Sequence, residues 1–186
     1  MDEGLELTLN DPWAVEFIPN ENFVYRQSIP RDWIREEGTK RRWPNEASFV
    51  LKENELGLSV NWDKYISIKD NFLIIGLTQN TPGRFINPTA FKIFKFPVAF
   101  LRSIEEIKDV IHNPSYHGNP SPIGQPNNRA HSLVEYSDDD GFVRMNLSDY
   151  CNSNYIDCYC EFDVNSINEE LEELRNRLNE TPFHSL

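Results

Sequence analysis

Cys151, Cys158 and Cys160 lie within ten residues of one another, and clustered thiols are the first place to look for a metal or a redox pair. Structural zinc sites present cysteine pairs two to four residues apart from a turn. Here, by contrast, Cys158 and Cys160 fall in an alternating run. From Tyr155 to Val164, the residues Ile156, Cys158, Cys160, Phe162 and Val164 share one face, and Asp157, Glu161 and Asp163 share the other. The pattern predicts a strand with two cysteines in the core, and no metal or cofactor is expected. An odd set of three cysteines is no disulfide framework, which fits a reducing cytoplasm.

Three histidines, His112, His117 and His131, flank a proline-rich stretch, but their spacing matches no ligand pattern. The first falls at the end of a predicted helix, where an imidazolium compensates the dipole. His131 opens a predicted strand and is the candidate acid, base or binding group of the three. Arg31, Arg35, Lys40, Arg41 and Arg42, interleaved with Trp33 and Trp43, form a positive island in a chain of net charge -12. Arginine forks there suit a phosphate or carboxylate. Asp138-Asp139-Asp140 lacks the ligand spacing of a calcium loop and reads as a turn. The chain has no phosphate-binding glycine loop, no Gly-x-Ser-x-Gly elbow and no His-Glu-x-x-His helix.

Two resemblances bear on these residues. Tyr116-His117-Gly118-Asn119 resembles the His-Gly-Thr element of the diphtheria-toxin-like ADP-ribosyltransferases, but it lies in a proline-rich loop rather than on an early strand. The blocks Arg41-Arg42-Trp43-Pro44-Asn45-Glu46-Ala47-Ser48-Phe49, Leu58-Ser59-Val60 and Ala130-His131-Ser132-Leu133-Val134 resemble a group of small uncharacterised bacterial proteins. That group carries an Arg-Pro-Ser-Ser-x-Ala-Phe run, a Leu-Ser-Val run and a late Ala-His strand start. The second resemblance implies that Arg26, Arg41, Arg42, Trp43, Ser59 and His131 belong to one place, with His117 as a further binding candidate. Arginine, hydroxyl and imidazole without a carboxylate base suit anion or peptide recognition better than hydrolysis.

The elements that must position these groups follow from pattern. Asn22 to Arg26 reads as a first strand, and Ala47 to Lys52 with Leu56 to Trp62 as a hairpin around Glu53-Asn54-Glu55. Phe72 to Thr78 reads as a buried strand, followed by a strand from Ala90 to Phe96. Ser103 and Glu106 form a capping box before Ile104, Ile107, Val110 and Ile111, which predicts a mid-chain helix over about 103–112. Pro114 to Pro126 is loop; His131 to Tyr136 and Phe142 to Leu147 read as a second hairpin. Ser166 and Glu169 open a C-terminal helix over about 166–179, with Ile167, Leu171, Leu174 and Leu178 on its apolar stripe.

Strands joined by short turns and outnumbering helices give an α+β class: a mostly antiparallel sheet with both helices on one face, in a single domain over 1–186. An excess of thirty acidic over eighteen basic residues disfavours direct nucleic-acid binding. No apolar run reaches the length of a membrane span, and the start MDEGLELTLNDP lacks a secretion signal. The reading these features support is a non-enzymatic binding or accessory protein of a bacterial multi-gene system, defence- or toxin-associated, recognising a protein partner. Its alternatives are an enzyme acting on a nucleotide or phosphorylated substrate through Arg41, Arg42 and His131, and an acidic inhibitor of a nucleic-acid-binding protein.

Overall fold

The computed structural model describes residues 11–29, 31, 33–39, 41–51, 55–137 and 141–180. The Asp138–Asp140 turn, Asp32, Lys40 and the Glu53-Asn54 turn fall outside these residues. In chain order the strands are β1 Phe23–Ser28, β2 Trp33–Arg35, β3 Arg42–Pro44, β4 Leu58–Trp62, β5 Gln79–Thr81, β6 Arg84–Phe85, β7 Lys92–Pro97, β8 Asp109–His112, β9 His131–Glu135 and β10 Tyr159–Cys160. Six of them form one antiparallel sheet in the order β10-β7-β1-β4-β9-β8, while β2–β3 and β5–β6 make small ribbons. The helices are α1 Ile68–Leu77, α2 Val98–Ser103, α3 Gly141–Ser153, α4 Tyr155–Cys158 and α5 Asn168–Glu180. The α+β class with a mainly antiparallel sheet and a C-terminal helix is therefore what the chain forms.

Two apolar clusters lie on opposite sides of that sheet. Neighbouring residues of a strand point to opposite faces, and Phe94 and Ile93 of β7 belong one to each cluster. On the first face Val24, Trp62, Phe94 and Phe96 pack with Val143, Leu147 and Cys151 of α3. On the second, Ile93 and Cys160 meet Phe72, Leu73 and Ile75 of α1 and Leu171 of α5. Helices thus cover both faces, not one, because β7 is apolar on both.

Several elements differ from the sequence pattern. Phe72–Leu77 is helix: Ser67 Oγ accepts from Asp70 N (3.1 Å) and the Asp70 carboxylate accepts from Ser67 N (3.2 Å), a reciprocal capping box that starts α1. The mid-chain helix covers 98–103 rather than 103–112; Ser103 ends it, and Asp109–His112 is strand, with Val110 and His112 buried in alternation and paired to β9. Its β-branched residues match helical spacing by coincidence and fit a pleated strand better. Phe142–Leu147 lies in α3, so β9 has no hairpin partner there and pairs with β4 and β8 instead. Similarly, Ala47–Leu51 is not a hairpin arm, since Glu46–Phe49 is a 3-10 turn capped by Asn45, and Lys52 lies outside the described residues. The predicted strand at Tyr155–Val164 shrinks to β10 after the short α4, leaving Ile156 exposed while Cys158 and Cys160 stay buried.

Candidate functional site

Arg26, Ser59 and His131 come together where β1, β4 and β9 lie side by side. The register Tyr25↔Asn61 and Asn61↔His131 puts Tyr25, Asn61 and His131 on the α1 face of the sheet together with Ser59, two residues from Asn61, whereas Arg26, paired with Phe94, starts on the other face and reaches Ser59 at its backbone carbonyl. Arg26, Ser59 and His131 border a cavity of about 320 Å³ between the sheet, the end of α1 at Ile74 and Thr78, and Asn128 of the proline-rich loop.

Position of the histidine ring is set by two contacts. His131 Nδ1 lies 2.6 Å from the Asn113 carbonyl, and Nε2 lies 3.4 Å from Ser59 Oγ. A carbonyl oxygen only accepts, so the proton of the neutral ring sits on Nδ1 and the Nε2 lone pair faces the serine hydroxyl. The first bond is short and the second is at the long end of the hydrogen-bond range.

A chain of asparagines fixes the floor of the cavity. Asn128 Nδ2 donates to Asn61 Oδ1 (2.8 Å), Asn61 Nδ2 donates to Asn71 Oδ1 (2.6 Å), and Asn71 Nδ2 donates to the Ser67 carbonyl (2.9 Å). This links β4, α1 and the loop through side chains that are almost wholly buried at Asn61 and Asn71. Sequence reasoning missed these residues. The available signal was Asn61 itself, since asparagine is depleted in strands and here alternates with Leu58, Val60 and Trp62, on the face that Ser59 shares.

Arg26 occupies an opening in the sheet. Along β1, residues Phe23 to Ser28 all pair with β7, whereas pairing with β4 stops after Val24↔Trp62 and Tyr25↔Asn61. The guanidinium fills the space beyond, donating from Nη1 to the Ser59 carbonyl (2.9 Å) and from Nη2 to the Ser48 carbonyl (3.1 Å). Its Nε–H is shut off from solvent and has no hydrogen-bond partner among the described residues. Burial lowers the Arg26 pKa, against the opposing influence of nearby Tyr136 and Glu55. No ion pair from the described residues reaches the guanidinium.

The other candidates lie elsewhere. Arg41 donates to the Asn152 carbonyl at the end of α3 and sits 5.6 Å from the Trp43 ring and 5.7 Å from that of Tyr155. It lines a separate cavity of about 280 Å³ with Ser153, Asn154 and Asp157. Arg42 is exposed on β3, and Trp43 packs half-buried on the first core cluster. No residue of the 31–42 stretch borders the His131 cavity among the described residues, so a phosphate held by Arg41 and Arg42 would not face His131. His117 is exposed on a neighbouring groove of about 300 Å³ that shares Ile74, Thr78 and Asn128 with the first cavity.

His112 has no helix dipole to compensate. It is buried on β8, stacked on Tyr65 (5.5 Å) and edge-on to Trp62 (5.3 Å). Nδ1 accepts from Glu16 N (3.2 Å) and Nε2 faces the Arg129 carbonyl at 2.6 Å, which makes it a clasp for the segment before β1. All three cysteines are free and buried, and burial pushes the Cys160 thiol up to about 11. No helix among the described residues is long and apolar enough to cross a membrane.

Comparison with protein-family models, with curated proteins and with solved structures finds no match for the chain. The chemistry is therefore argued from the cavity alone. It offers a half-buried arginine, a serine hydroxyl, an imidazole of fixed tautomer and several amides.

Proposed function

We propose that the chain is a binding protein whose cleft at Arg26, Ser59 and His131 receives an anionic group, a carboxylate or phosphate, presented by a protein partner. One observation carries the reading: Arg26 borders the cavity, and its guanidinium, held on the Ser59 and Ser48 carbonyls, has no ion pair and a buried Nε–H without a partner among the described residues. A buried charge of this kind is costly until an opposite charge meets it, and an entering anion supplies one. Neutral donors around it, the Ser59 hydroxyl and the Asn128 amide, suit the same group. Its groove toward His117 gives the rest of a bound segment somewhere to lie.

The test is a titration of isotope-labelled protein with inorganic phosphate and with acetate, read at the arginine Nε–Hε resonances. Arg26 is expected to shift saturably while Arg41 stays in place, and Arg26→Gln abolishes the response. A response confined to Arg41, or one that never saturates, would contradict the reading.

A further inference from the structure

The same cleft holds more than binding needs. We propose that Ser59 is a nucleophile, activated by His131, and that the cleft transfers the acyl group of small oxygen esters. Three features of covalent catalysis stand together here: a hydroxyl, a base within reach of it, and a third group that orients the base. Ser59 Oγ and His131 Nε2 are 3.4 Å apart, looser than a working hydrogen bond but of the kind that tightens when substrate closes the site. The Asn113 carbonyl, 2.6 Å from Nδ1, holds the ring in the tautomer whose free lone pair faces the hydroxyl.

In the reaction, Ser59 Oγ bonds to the ester carbonyl carbon while its proton passes to His131 Nε2. The carbonyl oxygen takes up the electron pair and becomes an oxyanion. Collapse of the intermediate breaks the bond to the leaving oxygen, which takes the proton from His131 and departs as an alcohol. Water then attacks the acyl-serine, delivers its proton through His131 and releases the acid with Ser59 restored. A carbonyl behind the imidazole stabilises the imidazolium less than a carboxylate does, so esters fit and amides, with their poor leaving groups, do not. The cavity of about 320 Å³ is at the small end for ligand sites and limits the acyl group to a short one.

The proposal is independent of the anion-binding reading, and the experiment separates them. The full chain is incubated with a short-chain fluorophosphonate, whose phosphorus forms a bond to oxygen as fluoride leaves, and its intact mass and labelled peptide are measured. One adduct is expected, on Ser59, absent from Ser59→Ala and formed at least about 100-fold more slowly in His131→Gln. Ser59→Cys serves as a second variant: iodoacetamide should alkylate the introduced thiol roughly tenfold faster with His131 present than in the His131→Gln background, because a paired imidazole raises the thiolate fraction. No adduct, an adduct elsewhere, or a Ser59 adduct indifferent to His131 in a folded variant would overturn the proposal. Phosphate binding read at Arg26 in Ser59→Ala tells the two ideas apart: binding without labelling refutes only the nucleophile, and labelling without binding refutes only the anion site.

Discussion

Replacing Asn71 by leucine tests the polar floor of the cleft. The side chain is 0% exposed and makes two hydrogen bonds, accepting from Asn61 (2.6 Å) and donating to the Ser67 carbonyl (2.9 Å). Leucine has a similar branched shape, so the polar terms dominate the outcome. The Ser67 carbonyl keeps the Asn71 backbone N–H at 3.1 Å, so its loss is small. The Asn61 amide, by contrast, is stranded in a site that is 5% exposed. A buried donor left without a partner costs about 1–3 kcal/mol, and the lost bond adds to it, so a destabilisation of roughly 2–3 kcal/mol is expected. In urea this lowers the midpoint by about 1 M for a slope near 2 kcal/mol/M. The double variant Asn61→Leu, Asn71→Leu should cost less than the two singles together by about 1 kcal/mol or more, since the stranded group is gone. Strict additivity, or a loss under about 0.5 kcal/mol for Asn71→Leu, would mean that the asparagine chain does not hold the cleft.

Gly57 sits where the chain entering β4 passes β9, and a Cβ there would meet the Val134 carbonyl oxygen at 2.7 Å and its carbon at 3.1 Å. Gly57→Ala should destabilise by about 1–3 kcal/mol in the same assay, because backbone rather than a movable side chain must yield. In the native state all three thiols should resist a disulfide reagent at pH 8 and react in denaturant: Cys160 is held up to about 11 and Cys151 is pushed up by burial, while Cys158 is 1% exposed. Stability should also fall as pH rises from 9 toward 11, because the raised Cys160 value favours the native thiol only below that window. At the acid end, Glu16 is lowered from its ordinary 4.5 by hydrogen bonds from Lys64 and Tyr65. Its stabilisation is present above 4.5 and lost as pH falls through the lower native value, so amide exchange near Glu16 should accelerate there in the wild type and not in Glu16→Gln.

How much was legible in the sequence depended on which faces a segment buries. β1, β7 and β9 carry aromatic and β-branched residues in the expected places, and the C-terminal helix carries a clear apolar stripe. Failure came where a short apolar run is buried on several sides. Phe72–Leu77 has no polar face to reveal its period, so only the Ser67–Asp70 cap distinguishes helix from strand. In α3 the buried residues Val143, Leu147 and Cys151 recur every four positions, a repeat masked by the local alternation of Phe142 to Leu147. Of the site, Arg26, Ser59 and His131 converge, and the period of two in β4 is enough to put Ser59 and Asn61 on one face. That the 31–42 arginines lie elsewhere was not legible, because β3 is tied to α3 by long-range packing.

Arg26 is a poor device for stability alone. A guanidinium in the opening between β1 and β4 bonds to two carbonyls, but its Nε–H stays unpaired and no ion pair reaches it among the described residues. Apolar groups in place of buried ions are often neutral or stabilising. If an anion completes the site, binding must stabilise the fold, and the size of the effect follows from mass action. At tenfold the dissociation constant, phosphate should add about 1.4 kcal/mol, or roughly 3–5 °C in Tm for a chain of this size. Phosphate also stabilises proteins generally by exclusion from their surfaces, so chloride at matched ionic strength is an insufficient control. Arg26→Gln supplies the better one, since exclusion acts on it equally. A Tm gain that persists undiminished in Arg26→Gln would place the effect in the solvent and leave the buried charge without a ligand.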